Sequence, residues 1–236
     1  MSTRRFFCEQ PIGSASSYGL TGSEHQHLAK VLRAQPGDVV TLFDGLGGEY
    51  SATIDAVNRN ETELTIESKN DVSRELPFSL TLAVALPKGD RQQWLVEKCV
   101  ELGVTEITPL VTEFGVAQPN EKAKQRIRRW IVAASKQCGR NQLMHVGEST
   151  DFTNFITSET NSEMYVAHPN ESEFSFANPK TSPRNVTLVI GPEGGFSDKE
   201  IELARKQNCK LVSLGPRILR IETAAVAFVS ALTYAS

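Results

Sequence analysis

The pattern of apolar and polar positions differs between the first third of the chain and the rest. Residues 1–72 hold short strand-like runs separated by turns rich in glycine and asparagine, such as the turn at 44–48. A helix is expected from Ser23 to Leu32, opened by a capping-box pattern in which Gln26 follows Ser23 by three residues. Short strands joined by tight turns predict a small β-barrel carrying one helix.

From residue 73 onward, strand patterns alternate with helix patterns. Continuous apolar runs at 80–86 and 186–190 are typical of strands buried on both faces, and a second capping box, Ser197 with Glu200, opens a later helix. This alternation predicts an α/β domain over residues 73–236, with a mostly parallel sheet covered by helices. Ligands of such sheets bind at the carboxyl ends of the strands, so the chemistry is expected there.

Composition argues against several classes of protein. No apolar run approaches the ~20 residues that a membrane-spanning helix needs, and an acid precedes any apolar run near the start, so we expect neither a membrane segment nor a signal peptide. The cysteines form no Cys-x-x-Cys pair, which favours reduced thiols in the cytoplasm over disulfides, and we expect no metal site.

The net charge of −3 conceals a strongly basic segment. Residues 122–140 contain seven lysines and arginines and no acid. Within them Ile127, Trp130, Ile131 and Ala134 recur at helical spacing, so one face of a helix would be buried and the basic face exposed. Such a face can hold phosphates, although a solvated helix surface without a ligand is the plainer alternative.

Two loops at predicted strand ends could carry chemistry. The glycine-rich loop 191–195 allows a ligand to approach the backbone closely, although a tight strand-to-helix turn explains it equally well. The loop 214–224 holds Arg217, Arg220 and Glu222 between a buried strand and a buried helix, where polar groups need partners or a function. An ion pair between Arg220 and Glu222 that shapes the loop is compatible with a binding role.

The sequence of these loops, Ile-Gly-Pro-Glu-Gly-Gly-Phe and then Leu-Gly-Pro-Arg-Ile-Leu-Arg-x-Glu-Thr-Ala, resembles the RsmE family of small-subunit ribosomal RNA methyltransferases. Other motifs of the family include His27-Leu-x-x-Val-Leu-Arg33, Lys88-Gly-Asp-Arg91 and Gln137-Cys-Gly-Arg140. Two positions depart from the family pattern. Ile221 stands where threonine is more frequent, and Leu143-Met144 replaces Val-Pro.

The resemblance implies a PUA-like RNA-binding β-barrel over residues 1–72 and a knotted SPOUT methyltransferase domain, with a C-terminal trefoil knot, over 73–236. It implies a homodimer that uses S-adenosyl-L-methionine to methylate N3 of a single uridine in 16S rRNA, either naked or within the 30S ribosomal subunit. By resemblance, the cofactor would be held by three loops, through His168, Ile190, Gly191, Gly195, Leu214, Ile218, Leu219 and Thr223.

Roles in catalysis and RNA binding are hypotheses built on this resemblance. Uracil N3 must lose a proton before it attacks a methyl group, which requires a base or a cation that stabilises the uracil anion. Glu222 is the candidate for positioning or proton removal, and Arg220 for stabilising the anion. Phosphates would be held by Arg5 and Arg33 of the barrel and by five catalytic-domain side chains: Lys88, Arg91, Arg126, Arg129 and Arg140.

Three alternatives remain at this point. The chain could methylate a different RNA, or it could be an RNA-binding protein without activity, although the two elaborate loops would then be unexplained. It could also be a nucleotide-binding α/β protein that holds phosphate at loop 191–195. Glu193 and the absence of a lysine within that loop count against phosphate binding, because an acid repels phosphate.

Overall fold

The computed structural model describes residues 4–115, 121–158, 161–169 and 185–233. The chain divides into two compact units, which comprise residues 1–75 with 135–143, and residues 76–134 with 144–236. From the sequence we expected one domain boundary, after residue 72. In the structure, residues 135–143 also belong to the first unit.

The first unit contains a five-stranded sheet in the order β1-β3-β4-β5-β2. Strand β1 runs parallel to β3 and the other neighbours are antiparallel. One apolar core, which includes Phe6, Leu42, Ile54 and Leu64, lies within this unit. The strands are β1 (Arg5–Phe7), β2 (Ser17–Thr21), β3 (Val39–Phe43), β4 (Glu49–Val57) and β5 (Glu61–Asn70).

The helix of the first unit begins earlier than its capping-box pattern predicts. Helix α1 (Gly22–Gln26) has Thr21 rather than Ser23 as its N-cap, no side chain caps it, and it continues into a π-helical turn, His27–Val31. The chain enters α1 directly from β2 because Gly22 adopts a φ of +61°, a conformation that glycine tolerates without strain. The predicted box is therefore not used.

The second unit is built on a seven-stranded sheet, in which β12-β10-β11-β6-β7-β8 are neighbours and β9 also pairs with β7. Every strand pair in it is parallel, which confirms the mostly parallel sheet. Its strands are β6 (Ser79–Val84), β7 (Glu106–Val111), β8 (His145–Val146), β9 (Thr150–Asp151), β10 (Glu163–Ala167), β11 (Asn185–Ile190) and β12 (Lys210–Val212).

Helices follow most of these strands. Helix α2 (Asp90–Glu101) starts after Gly89, and the chain leaves it through Gly103, whose φ of +86° fits the predicted glycine stop. The helices that come later along the chain are α3 (Glu121–Cys138), α4 (Phe152–Ser158), α5 (Asp198–Lys206) and α6 (Ile221–Thr233).

The cysteines of the described chain are free thiols. Burial raises the pKa of Cys8 and of Cys99 to about 12, so neither is a thiolate near neutral pH and both act as packing residues. Among the described residues, no helix is long and apolar enough to cross a membrane, and no group of His, Cys, Asp and Glu side chains could hold a metal ion.

Candidate active site

The carboxyl ends of five adjacent parallel strands form one edge of the second unit. In sheet order these strands are β12, β10, β11, β6 and β7, and a loop leaves each of them at this edge. A first pocket of about 250 Å³ lies where β12, β10 and β11 end, and a second pocket of about 190 Å³ lies where β11, β6 and β7 end. A parallel sheet places ligands at such an edge.

The first pocket gathers residues from three loops that are far apart in sequence. Seven of the eight residues expected to bind a cofactor line it: His168, Ile190, Gly191, Gly195, Leu214, Ile218 and Leu219. The eighth, Thr223, is exposed in the first turn of α6 and does not line the pocket. Ile218, which lines the pocket, is 92% exposed.

The glycines of loop 191–195 give the first pocket its shape. Gly195 has a φ of +74° and donates its N–H to the Pro192 carbonyl at 2.9 Å, and no atom lies within 4 Å of the place where a Cβ would be. A Cβ at Gly191 would lie 3.1 Å from the Phe196 ring. The loop therefore packs tightly on one side and leaves open space beside Gly195.

A buried carboxylate fixes the start of the helix that follows this loop. The Ser197 hydroxyl accepts from the Glu200 N–H at 3.4 Å, and Glu200 Oε2 accepts from the Ser197 N–H at 2.8 Å, which confirms the predicted capping box of α5. The other oxygen, Oε1, accepts from the Glu113 N–H at 3.1 Å. Glu200 thus connects the start of α5, which follows the glycine loop, to the loop after β7.

The second pocket adjoins the first and shares Pro192, Glu193 and Ile221 with it. Its other lining residues include Leu86, Lys88, Arg91 and Phe114.

Arg91 brings a positive charge to the second pocket, close to Glu193, which lines both pockets. Its Nη1 lies 3.1 Å from Glu193 Oε1 and 3.9 Å from Glu222 Oε2. The Arg91 and Glu193 side chains are both substantially exposed, so this pair contributes little to stability and can be exchanged for other partners.

The two candidate catalytic side chains line neither pocket. Glu222 is 8% exposed, and among the described residues its Oε2 has no hydrogen-bond partner. Arg220 is exposed, and its carbonyl accepts from the Ala224 N–H at 2.8 Å, which places it at the entrance to α6. Within the described chain, Glu222 is paired with Arg91 and not with Arg220, so the expected Arg220–Glu222 ion pair is absent.

Two of the arginines expected to bind RNA are buried in the first unit. Arg5 is 7% exposed and donates to Glu49 at 2.7 Å, to the Arg140 carbonyl at 3.0 Å and to Asn141. Arg140 is 3% exposed and donates twice to the Glu75 carboxylate. Protein groups accept hydrogen bonds from both terminal nitrogens of Arg5 and from Nε and Nη2 of Arg140, whereas the buried Nε of Arg5 has no hydrogen-bond partner among the described residues. Both side chains are held by the protein itself, so we correct the expectation and assign them to the fold.

The pKa values of the buried cluster reflect this arrangement. Burial lowers the pKa of Arg5, and the hydrogen bond and charge of Glu49 only partly oppose that effect. Burial acts to raise the pKa of Glu49, but the hydrogen bonds from Arg5 and Arg74 outweigh it and leave the pKa below its usual range.

The other cations proposed for RNA binding are accessible. Arg33 is exposed in the first unit, and Lys88 and Arg91 border the second pocket. Arg126 and Arg129 are exposed on α3. As predicted, α3 buries an apolar face, formed by Ile127, Ile131 and Ala134, and Trp130 is half-buried beside it.

Phe114 is a feature that the sequence analysis missed. Its side chain is 51% exposed, and its Cβ would lie 3.2 Å from a Cβ at Gly194, against the glycine loop. The signal that could have revealed it is its position, because Phe114 follows β7 at the same sheet edge as the two recognised loops. A single aromatic residue in a polar loop does not stand out in an apolar pattern.

Comparison with known proteins identifies the class. The family model described as RNA methyltransferase domain matches residues 74–233, and the model described as RNA methyltransferase PUA domain matches residues 20–67. The chain thus combines a unit with a parallel sheet and pockets at its carboxyl edge with a separate small β unit, and it belongs to the class of two-part RNA methyltransferase proteins.

Two relatives and one solved structure show which family within this class the chain belongs to. Ribosomal RNA small subunit methyltransferase E of Synechocystis sp. is 34% identical over 90% of this chain and 72% of the relative, and that of Bacillus subtilis is 30% identical over 98% and 96%. The crystal structure of the same-named Neisseria gonorrhoeae protein bound to S-adenosyl methionine is 27% identical, with a TM-score of 0.89 over 98% of this chain and 97% of that one. The chain belongs to the ribosomal RNA small subunit methyltransferase E family.

Proposed function

We propose that this protein is an S-adenosyl-L-methionine-dependent methyltransferase that modifies N3 of a single uridine in the 16S rRNA of the small ribosomal subunit. The observation that carries the proposal is the first pocket, because seven residues expected to hold this cofactor meet there at three adjacent strand ends. The names of the relatives support ribosomal RNA as the substrate, and the S-adenosyl methionine bound to the Neisseria protein supports the cofactor.

The first pocket fits the chemistry of this cofactor. Ile190, Leu214 and Leu219 provide apolar walls of the kind that an adenine ring requires, and the open space beside Gly195 allows a ligand to reach the backbone. When bound there, the cofactor supplies a methyl group activated by a sulfonium.

The task of the protein is to align the attacking nitrogen with the methyl group and to remove the proton from that nitrogen. Glu222 is the proposed proton acceptor, through its buried Oε2, which has no hydrogen-bond partner in the described chain. Arg91, 3.9 Å away, and the exposed Arg220 are the cations available to stabilise negative charge on the uracil ring. N3 lies on the pairing edge of the base, so the uridine must be unpaired or turned out of its stack.

RNA would be held by charge in both units. The PUA-like first unit offers Arg33, and the second offers Arg126 and Arg129 on α3. Contacts of this kind predict that RNA binding weakens steeply as salt is raised. A homodimer, a trefoil knot in the second unit and a cytoplasmic location complete the proposal, and the resemblance to the family supports them.

The test of the proposed cofactor site is Leu214→Arg, which places a cation in an apolar wall. We expect titration calorimetry to show S-adenosylmethionine binding to the wild type and at least tenfold weaker binding to the variant. Leu46→Arg is the control, because Leu46 is 71% exposed and belongs to the first unit. Unchanged binding in Leu214→Arg would remove this pocket from the cofactor site.

A further inference from the structure

We infer that the second pocket receives the target pyrimidine base, with the Phe114 ring as the surface on which the base stacks. The inference rests on the proposed function and adds the place of the substrate to it. The second pocket shares three lining residues with the first, Pro192, Glu193 and Ile221, so the two pockets are neighbours. A base in the second pocket would therefore lie next to a methyl donor in the first.

The walls of the second pocket suit a flat ring. Leu86 and Ile221 are buried apolar side chains, and Phe114 presents an aromatic ring that is 51% exposed. Bases taken out of a nucleic-acid stack are commonly stacked on aromatic side chains, because every base has a π-face. An exposed phenylalanine beside a pocket loses contact with water when a base covers it, which favours occupation.

The position of Phe114 is fixed from two sides. The backbone of the preceding residue, Glu113, donates to the buried Glu200 carboxylate at 3.1 Å, and the Cβ of Phe114 packs against Gly194. The ring is thus held in a set relation to the glycine loop that lines the first pocket, so little ordering is needed when a base binds.

Positively charged side chains border the second pocket, and they favour a nucleotide, which carries a phosphate, over an uncharged apolar ligand. Lys88 is exposed and Arg91 is half-exposed, and both border the second pocket. The pair between Arg91 and Glu193 is exposed on both sides, so a phosphate can replace Glu193 as the partner of Arg91 at small cost. Glu222 Oε2 lies 3.9 Å from the same Arg91 nitrogen, is buried, and has no hydrogen-bond partner among the described residues.

The test compares Phe114→Ala with Phe114→Tyr. Alanine keeps the Cβ that contacts Gly194 but removes the ring, whereas tyrosine keeps the ring. The control is Trp94→Leu, which removes the other large aromatic side chain that is exposed in the described chain and lines neither pocket. Each protein is measured for S-adenosylmethionine binding by calorimetry and for kcat/KM of methyl transfer to small ribosomal subunits.

We expect Phe114→Ala to bind the cofactor within twofold of the wild type and to lose roughly tenfold to a hundredfold in kcat/KM, the size of one base–aromatic stack. Phe114→Tyr should restore kcat/KM to within threefold, and Trp94→Leu should match the wild type. A photoreactive 4-thiouridine at the target position should cross-link to the peptide that contains Phe114.

Wild-type kcat/KM in Phe114→Ala, together with a cross-link elsewhere, would overturn the assignment of the second pocket and leave the proposed methyltransferase function standing. A wild-type protein that binds the cofactor but methylates neither subunits nor naked rRNA would contradict the proposed function, and the base pocket with it.

Discussion

Two sets of paired arginine and glutamate side chains, one in each unit, differ in whether they are free to bind a ligand. In the first unit, Arg5 and Arg140 are buried, Arg5 donates to Glu49 and to the Arg140 carbonyl, and Arg140 donates to Glu75. In the second unit, Arg91 is half-exposed at the second pocket, with one exposed carboxylate at 3.1 Å and a buried one at 3.9 Å.

The difference shows that the burial of a charged side chain and of its partners decides which role the side chain can have. A buried guanidinium that is paired with a carboxylate stabilises its surroundings only while that partner stays, because an orphaned buried charge is costly. An exposed guanidinium with a weak partner costs little to redirect towards a ligand. Counting arginines in a sequence does not separate these cases.

The largest expected effect in this comparison is on the stability of the buried cluster. Glu49→Ala leaves Arg5 without its main carboxylate and should lower the free energy of unfolding by about 3–5 kcal/mol, measured by urea denaturation. The matched control is Glu67→Ala, because Glu67 is exposed on β5, and its effect should stay within about 0.5 kcal/mol.

The same variant should show a defined pH dependence. The folded-state pKa of Glu49 is lowered, so its contribution is complete above the unfolded pKa of about 4.3 and is lost as the pH falls through the folded value. The stability gap between wild type and Glu49→Ala should therefore narrow on acidification below about pH 4. A gap that is constant with pH would show that the charge of Glu49 is not what stabilises the cluster.

The next largest effect is expected on catalysis, at the buried carboxylate of Glu222 beside Arg91. Glu222→Gln removes the proposed proton acceptor and keeps the shape of the side chain, so kcat should fall by about a hundredfold or more at neutral pH. Cofactor binding, followed by calorimetry, should not change, because Glu222 does not line the first pocket. If Glu222→Gln turned over near the wild-type rate at every pH, Glu222 would have no role in proton removal.

A smaller effect is expected at the glycine loop. Gly195→Val puts a branched side chain into the open space of the first pocket and should weaken S-adenosylmethionine binding about tenfold or more in calorimetry. Gly13→Val is the matched control, because Gly13 also has a positive φ, +56°, with open space around it, but lies in the first unit. Equal cofactor affinity in the two variants would argue that Gly195 does not border the bound cofactor.

The smallest expected effect is the change in stability when Arg91, the half-exposed arginine, is replaced. Arg91→Gln should change the free energy of unfolding by no more than about 0.5 kcal/mol, in contrast to the loss of Glu49. It should also reduce the slope of log K against log salt for RNA binding by about 1, since one phosphate contact is removed. A large loss of stability in Arg91→Gln would mean that this cluster, too, is structural.

Much of the fold could be predicted because apolar patterns report burial. The continuous apolar runs that became β6 and β11, the parallel sheet and the capping box of α5 follow from local sequence. The return of residues 135–143 to the first unit did not follow, since it depends on contacts between distant segments.

The parts of the site that carry sequence motifs could be predicted, whereas the parts that depend only on three-dimensional contacts could not. The loops with Gly191 and Leu214 were recognised by resemblance and do meet at one pocket. The burial of Arg5 and Arg140, the pairing of Glu222 with Arg91 and the exposure of Phe114 depend on three-dimensional neighbours, which a local pattern does not encode.

The most direct measurement is a mass-spectrometric map of small-subunit ribosomal RNA after incubation with S-adenosylmethionine and either the wild-type protein or Leu214→Arg. With the cofactor at a concentration near the wild-type Kd, we expect one new methyl group on N3 of a single uridine with the wild type, and a several-fold lower yield or none with the variant. No new methyl group with the wild type on either naked RNA or assembled subunits, or an equal yield with both proteins, would contradict the proposal.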